Sequence, residues 1–293
     1  MSSARDVEVT YDVGNDFFRL WLDERMNYTC GLHENAASEE EAQLAKLRFI
    51  ADAAGVRPGM RVLDVGCGWG AMLEYLIAER GVAAAHGLTL SRHQFDHVSR
   101  RALPRVSVEL RSYLEYQPTE PFDAVVSIGM LEHAATPEQA RSGEHVRVYA
   151  EYFRRIHSWT RPAARFALQL VHTLRTPRRP ADLRDLGRAT RTIFPGAFSP
   201  YLQDVASAVT PHWEIATFRS RRLDYAQTSG EWLRRLMESE AFIRARWGDR
   251  VYEDYEHYLR TCVRMFEGGY QTLGQYELRR IDRAGGSHED RRS

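Results

Sequence analysis

The sequence predicts an α/β fold built on a doubly wound, mainly parallel sheet, and three observations carry that prediction. The β-branched run Arg61-Val62-Leu63-Asp64-Val65 is followed at once by the glycine turn Gly66-Cys67-Gly68-Trp69-Gly70 and by the apolar-periodic stretch Met72 to Ala78. Strand, glycine turn and helix form the opening unit of such folds. Strand-like and helix-like segments then alternate as far as His172. Finally, a chain of 293 residues, 43% hydrophobic and 11% aromatic, can bury the core that this architecture needs.

Taken in order, residues 1–56 read as an N-terminal helical segment covering the ligand site. Within it, Ala42, Leu44, Ala45, Leu47 and Ile50 recur at helical spacing over Glu41 to Ala54, and Arg57-Pro58-Gly59-Met60 stops the helix. Residues 57–173 form the ligand-binding α/β core. After the glycine unit come a second strand over Val82 to Leu88, a helix over Ser91 to Arg101, a third strand over Val106 to Leu110 and a fourth over Ala124 to Ile128. A helix over Tyr149 to Trp159 and a strand over Arg165 to His172 complete it. From Leu174 the pattern breaks, with Pro177, Pro180, Pro195, Pro200 and Pro211 punctuating an arginine-rich helical stretch. Residues 174–210 therefore read as a helical lid insertion over the open end of the sheet. The core resumes over 211–283 with a strand from Trp213 to Tyr225, a helix from Trp232 to Arg246, a long amphipathic helix from Val251 to Tyr270 and a last strand from Gln271 to Arg280. Residues 284–293 read as a frayed tail.

Composition excludes several classes. The 40 basic and 40 acidic residues cancel, whereas non-specific nucleic-acid binding rests on a strongly basic surface. No apolar run approaches the roughly 18 residues that span a bilayer. Met1 to Val7 lacks the apolar stretch of a signal peptide, so a cytoplasmic protein is expected. Cys30, Cys67 and Cys262 show no spacing of a disulfide framework or zinc site, and no metal is expected. Lys46 is the only lysine. The arginines at 175, 178, 179, 184, 188 and 191 read as a solvated lid face or as a dock for an acidic carrier protein. The assembly is left open, a homodimer among the alternatives.

The glycine turn is the strongest chemical signal. Gly66 and Gly68 let the backbone approach a ligand that a side chain would strike. A dinucleotide-binding protein usually presents Asp or Glu after its second strand for a ribose diol; here Gly87-Leu88-Thr89-Leu90-Ser91 offers none, leaving Thr89 and Gln94 for that task.

Several further motifs follow in order: Tyr11-Asp12-Val13-Gly14-Asn15-Asp16-Phe17-Phe18 with Leu22-Asp23, Tyr28-Thr29-Cys30, Glu41-Ala42-Gln43 with Lys46, Ser127 to His133, Leu223 to Ala226 with Trp232, and Phe266 with Gly269-Tyr270. Together with the glycine turn they resemble the cyclopropane fatty acid synthases and mycolic acid methyltransferases, over nearly the whole chain. The resemblance implies a Rossmann-like class I methyltransferase fold and S-adenosylmethionine as cofactor. It implies that Tyr28 and Thr29 contact the carboxylate end of the methionine moiety, that Gly66 and Gly68 line its approach and that Gly129 lies near it. Thr89 and Gln94 would serve the ribose or adenine side, with Ser112 and Tyr113 near the adenine. Cys30, Glu132 and Tyr225 match the family's reaction centre, which in cyclopropane-forming members helps hold a bicarbonate that removes a proton; His133 is a further candidate beside Glu132. Tyr11, Phe17, Phe18 and Trp21 are candidate substrate contacts, although the last three also read as a helix face packing on the sheet, and Cys30 as a packed small side chain.

One departure matters. Where the family has Leu-His-Thr-Ile, Gln169-Leu170-Val171 places Gln169 at the position of the histidine, while a slipped register would match Val171-His172-Thr173-Leu174. A neutral amide at Gln169, a candidate substrate contact, puts bicarbonate in doubt. The first reading of function is therefore S-adenosylmethionine-dependent C-methylation of an electron-rich carbon, an alkene or indole-like ring, in an apolar small molecule of natural-product biosynthesis. The alternatives are a cyclopropane synthase acting on an unsaturated acyl chain with bicarbonate as base, and a non-catalytic protein that keeps the cofactor fold.

Overall fold

In the computed structural model of the chain, residues 13–282 are described; Tyr11 and the tail expected over 284–293 lie outside them. The N-terminal segment contributes a short helix α1 (Asn15–Phe18) and helix α2 (Glu39–Ala53), which starts where the Ser38 side chain accepts the Glu41 N–H. Strand β1 (Arg61–Val65), helix α3 (Ala71–Ala78), strand β2 (Ala84–Thr89), helix α4 (Arg92–Arg101) and strands β3 (Val106–Leu110) and β4 (Phe122–Ile128) follow. A single 3-10 turn, Leu131–His133, then leads into helices α5 (Pro137–Ser142) and α6 (His145–Ser158) and strand β5 (Thr160–Thr173).

These strands stand in the order β3-β2-β1-β4-β5, all parallel. Strand β7 (Gln271–Arg280) adds antiparallel to β5, and β6 (Trp213–Ser220) antiparallel to β7, giving seven strands. The sheet is doubly wound and mainly parallel, as the sequence predicts. Val62, Ala124, Val126 and Ala167 pack one face against α2 and α3, and Leu63, Val125, Phe166 and Leu168 pack the other with Tyr149, Tyr152 and Phe153 of α6.

Three expectations need correction. The strand expected from Trp213 to Tyr225 ends at Ser220, and helix α9 (Arg222–Glu238) carries Tyr225 in its first turn. The helix expected from Trp232 to Arg246 is the end of α9 plus a separate α10 (Glu240–Trp247), and α11 (Asp249–Glu267) follows. Asp224 explains the early start of α9: its carboxylate sits where the helix dipole favours negative charge and accepts the His33 N–H at 2.8 Å. The span 174–210 is also not one lid. Helix α7 (Pro180–Ile193) packs on α11, whereas Val205, Ala208 and Val209 of α8 (Leu202–Val209) are fully buried in the core beside α6. Among the described residues no helix is long and apolar enough to cross a membrane.

Candidate active site

A cavity of about 300 Å³ opens at the C-terminal ends of β1, β2 and β4. There the strand order reverses between β1 and β4, the place where open α/β sheets bind ligands. The glycine turn forms its floor. Gly68 has a φ of +53°, and a Cβ built on it would meet no atom within 4 Å, so the backbone faces open space. Gly66 has a φ of +87°, and a Cβ there would stand 2.7 Å from Met130 Cγ. The first glycine serves close packing and the second serves ligand approach.

At one end of the cavity the polar groups suit a zwitterion. Lys46 of α2, buried, donates from Nζ to Asn27 Oδ1 at 2.8 Å and to Thr29 Oγ1 at 3.0 Å, and burial lowers its pKa to about 8. Asp64, on β1 just before the glycine turn, is buried with Oδ1 unpartnered; burial pushes its pKa up to about 7, against the pull of Lys46. A cation and an anion with spare hydrogen-bonding capacity therefore flank Tyr28 and Thr29. Across the turn, the Thr89 hydroxyl donates to Gln94 Oε1 at 2.8 Å, both residues lying on the cavity wall with Arg111 and Tyr113.

Glu132 lies where this polar end meets an apolar one. Strand β4 ends at Ile128, paired to Gln169, so the Val171 N–H on the same edge of β5 has no strand partner. It donates to Glu132 Oε1 at 2.7 Å. Oε2 is buried without a partner, and burial pushes the Glu132 pKa up to about 7. Beyond it the wall is apolar and aromatic, from Leu186 and Ala189 of α7, Phe194, Tyr258 and Met265. Tyr225 lines this arm, its ring stacked on Phe266 at 4.5 Å between centroids. His133 lines it opposite Phe194, 6.0 Å between rings. Helix α9 is tied to the segment after Tyr28–Thr29 by Thr228, whose Oγ1 accepts the Gly31 N–H at 3.1 Å.

The structure thus brings Tyr28, Thr29, Gly66, Gly68, Thr89, Gln94, Tyr113, Gly129, Glu132, His133 and Tyr225 to one cavity. It does not bring the side chains of six others there. Cys30 is fully buried, donates to the Gly31 carbonyl at 3.0 Å, and has its thiol pKa pushed up by burial and by Asp224. Phe17, Phe18 and Trp21 are fully buried in an aromatic cluster with Tyr255 and Trp232 and are absent from the cavity wall. Gln169 turns to its cross-strand partner, accepting from Gln275 Nε2 at 2.7 Å. Ser112 Oγ accepts the Leu114 N–H and is absent from the cavity wall. His172, which the slipped register would bring to the site, is absent from the cavity wall as well. His172 Nδ1 faces the Pro200 carbonyl at 3.1 Å and must donate, so Nε2 accepts from Tyr276 at 2.6 Å. Burial lowers the His172 pKa to about 4, leaving a neutral structural imidazole. Sequence reasoning missed Lys46 and Asp64 as site residues; the signals were a lone lysine and an aspartate two places before the first glycine.

Comparison with known proteins places the chain beside one family. The family profile described as mycolic acid cyclopropane synthetase matches residues 1–276. Cyclopropane mycolic acid synthase MmaA2 of Mycobacterium tuberculosis is 34% identical over 290 residues, 93% of this chain and 96% of that protein. Its solved structure gives a TM-score of 0.87 at 32% identity, covering 94% of this chain and 98% of that one. The crystal structure of mycolic acid cyclopropane synthase CmaA1 complexed with SAH and CTAB gives 0.85 at 30% identity, covering 96% and 99%. The cyclopropane-fatty-acyl-phospholipid synthase of Escherichia coli is 30% identical over 257 residues, 87% of this chain and 63% of that protein.

Proposed function

The chain belongs to the mycolic acid cyclopropane synthetase family, and from that premise we propose that it carries a methyl carbon from S-adenosylmethionine to a carbon–carbon double bond of a long apolar chain and closes a cyclopropane ring there. It is an enzyme of the S-adenosylmethionine-dependent class, which removes the non-catalytic alternative. The observation that carries the proposal is one cavity with two ends: a charged end beside the glycine turn and an apolar arm, with Glu132 between them. The solved relative whose title names SAH and the surfactant CTAB supports the same pairing of ligands. The order of the two sequence readings is thereby reversed, the cyclopropane alternative now standing ahead of methylation in natural-product biosynthesis.

The residues present fit the cofactor. The unpartnered Asp64 Oδ1 suits an ammonium, and Lys46 with Asn27 and Thr29 suits a carboxylate. S-adenosylmethionine supplies an activated methyl on its sulfonium. Thr89, Gln94 and Tyr113 would orient the nucleoside end, and the aromatic wall excludes water from the reacting carbon. Aromatic faces and the Glu132 carboxylate stabilise positive charge on the substrate carbon. Glu132 then takes the proton.

Bicarbonate does not fit as well. The family's histidine position holds Gln169, whose amide is bound to Gln275, and the Cys30 thiol is turned away, so we route no step through it. Three unpaired cysteines suit a reducing compartment, and we place the enzyme in the cytoplasm.

The test offers S-adenosylmethionine with an unsaturated fatty acid, free, in a phospholipid and as a carrier-protein thioester, beside a panel of indoles and terpenoids. Ring closure and methylation give products of equal mass, so proton NMR decides between them. Cyclopropane protons are expected from one acyl form, at a rate unchanged by bicarbonate in carbon-dioxide-depleted buffer. Turnover only on indoles or terpenoids would overturn the proposal.

A further inference from the structure

The proposed chemistry leaves one proton on Glu132 in each cycle, inside a cavity that a bound chain closes. We infer that this proton leaves through Tyr149 and the His145–Asp204 pair, a polar path from Glu132 toward helices α6 and α8. The inference rests on Glu132 as the proton acceptor.

Among the described residues, Glu132 Oε2, the Tyr149 hydroxyl and His145 Nδ1 are buried without a hydrogen-bond partner, as is the Tyr113 hydroxyl near Tyr149. The first three residues are contiguous. The Phe198 N–H donates to the Glu132 backbone carbonyl at 2.8 Å. The Phe198 ring packs on His145 at 5.6 Å, and His145 packs edge-on against Tyr149 at 6.0 Å. His145 and Tyr149 are four residues apart on α6, one turn along the same face. Glu132 and Asp204 are the two carboxylates whose charge reaches the Tyr149 phenol, which burial first and these charges second hold protonated. Isolated buried polar atoms are costly, and such a set is what ordered water joins into a chain.

The exit is at Asp204. Its Oδ2 lies 3.1 Å from His145 Nε2, and the two side chains are 13% and 16% exposed, unlike the fully buried Tyr149. With Nε2–H held by Asp204, Nδ1 is left with a lone pair facing inward. The transfer balances. The substrate C–H bond breaks, its electron pair stays on carbon, and the proton forms O–H on Glu132. Glu132 passes that proton to the Tyr149 oxygen as Tyr149 gives its own toward His145 Nδ1, and the imidazolium returns a proton to solvent beside Asp204.

The experiment needs no turnover. The full chain is loaded with S-adenosylhomocysteine and hexadecanol, a neutral long chain that brings no cation to the Glu132 carboxyl, to fill both ends of the cavity. It is then mixed into D2O at about pH 6, below the value of about 7 that burial gives Glu132. Infrared spectroscopy follows the protonated carboxyl band, assigned by its loss in Glu132→Gln. Deuterium exchange of that band should slow by roughly tenfold or more in Tyr149→Phe, with thermal stability and S-adenosylhomocysteine affinity unchanged. A merely structural role would loosen the core and speed exchange. His145→Asn, nearer the surface, gives the same slowing and serves if Tyr149→Phe fails to fold. Exchange as fast as wild type in the folded variants would overturn the path. Absence of a Glu132 band in the wild type would overturn it too, by removing Glu132 as a carrier, while leaving the cyclopropane reading to the product analysis.

Discussion

Glu132 combines a fixed position with unused acceptor capacity: one oxygen accepts the Val171 N–H and the other is unpartnered among the described residues. Glu132→Gln keeps an acceptor for Val171 and removes the basicity, so kcat should fall by roughly 10²-fold while cofactor affinity is unchanged. Because the carboxylate is the working form, the wild-type rate should rise with pH through about 7, and this limb should vanish in the variant. Stability carries the opposite sign. With the folded value raised from 4.5 to about 7, the folded state binds more protons than the unfolded one between those limits. The burial of Glu132 therefore costs nothing below the lower limit and most above the upper. Calorimetric melting temperatures should show Glu132→Gln gaining on the wild type as pH rises through that window; a constant difference would contradict the assigned burial.

At the scale of elements, helix α7 decides what fits the apolar arm. Leu186 and Ala189 face the cavity, while Arg188 on another face pairs with Asp254 of α11 at 2.9 Å and Asp185 pairs with Arg264. Leu186→Trp should shorten the arm without touching the glycine turn. Its KM for a long-chain substrate should rise several-fold with cofactor affinity unchanged, as steady-state kinetics and calorimetry would show; equal KM values would place the chain elsewhere. The sequence marked this region as helical from its prolines and arginines. It could not separate α7 from α8, because both are short amphipathic runs and only packing buries one in the core. The misread strand before Tyr225 has a similar cause: β6 passes into α9 within two residues, and no glycine or proline marks the change.

For the whole molecule, the cofactor end joins the N-terminal segment, through Asn27 to Thr29 and Lys46, to the ends of β1, β2 and β4. Ligand that binds only the folded state stabilises it, so S-adenosylhomocysteine at about 100 times its Kd should add roughly 2.7 kcal/mol. Denaturant unfolding would measure it, and residues 27–33 should gain protection from amide exchange. Gly68→Val should fold yet lose this shift, because a side chain there enters the open space above the turn at a positive φ. An equal shift in the variant would remove the turn from the ligand site.

What the sequence determined by itself is what depends on neighbours along the chain: the glycine turn, the alternation of strand and helix, the ordered motifs and hence the family. Tertiary structure decided which side chains meet. Gln169 and His172 are three residues apart on one strand, and only pairing with β7 shows that the first is bound to Gln275 and the second to Tyr276. Cys30, Phe17 and Phe18 sit in family motifs and Trp21 beside one, yet the fold buries all four away from the cavity wall. Lys46 and Asp64, 18 positions apart, and Glu132, Tyr149 and Asp204, spread over three elements, become sites only because the sheet brings their carriers together. A buried polar group draws its meaning from the partners that the fold supplies or withholds, and the order of residues does not contain them.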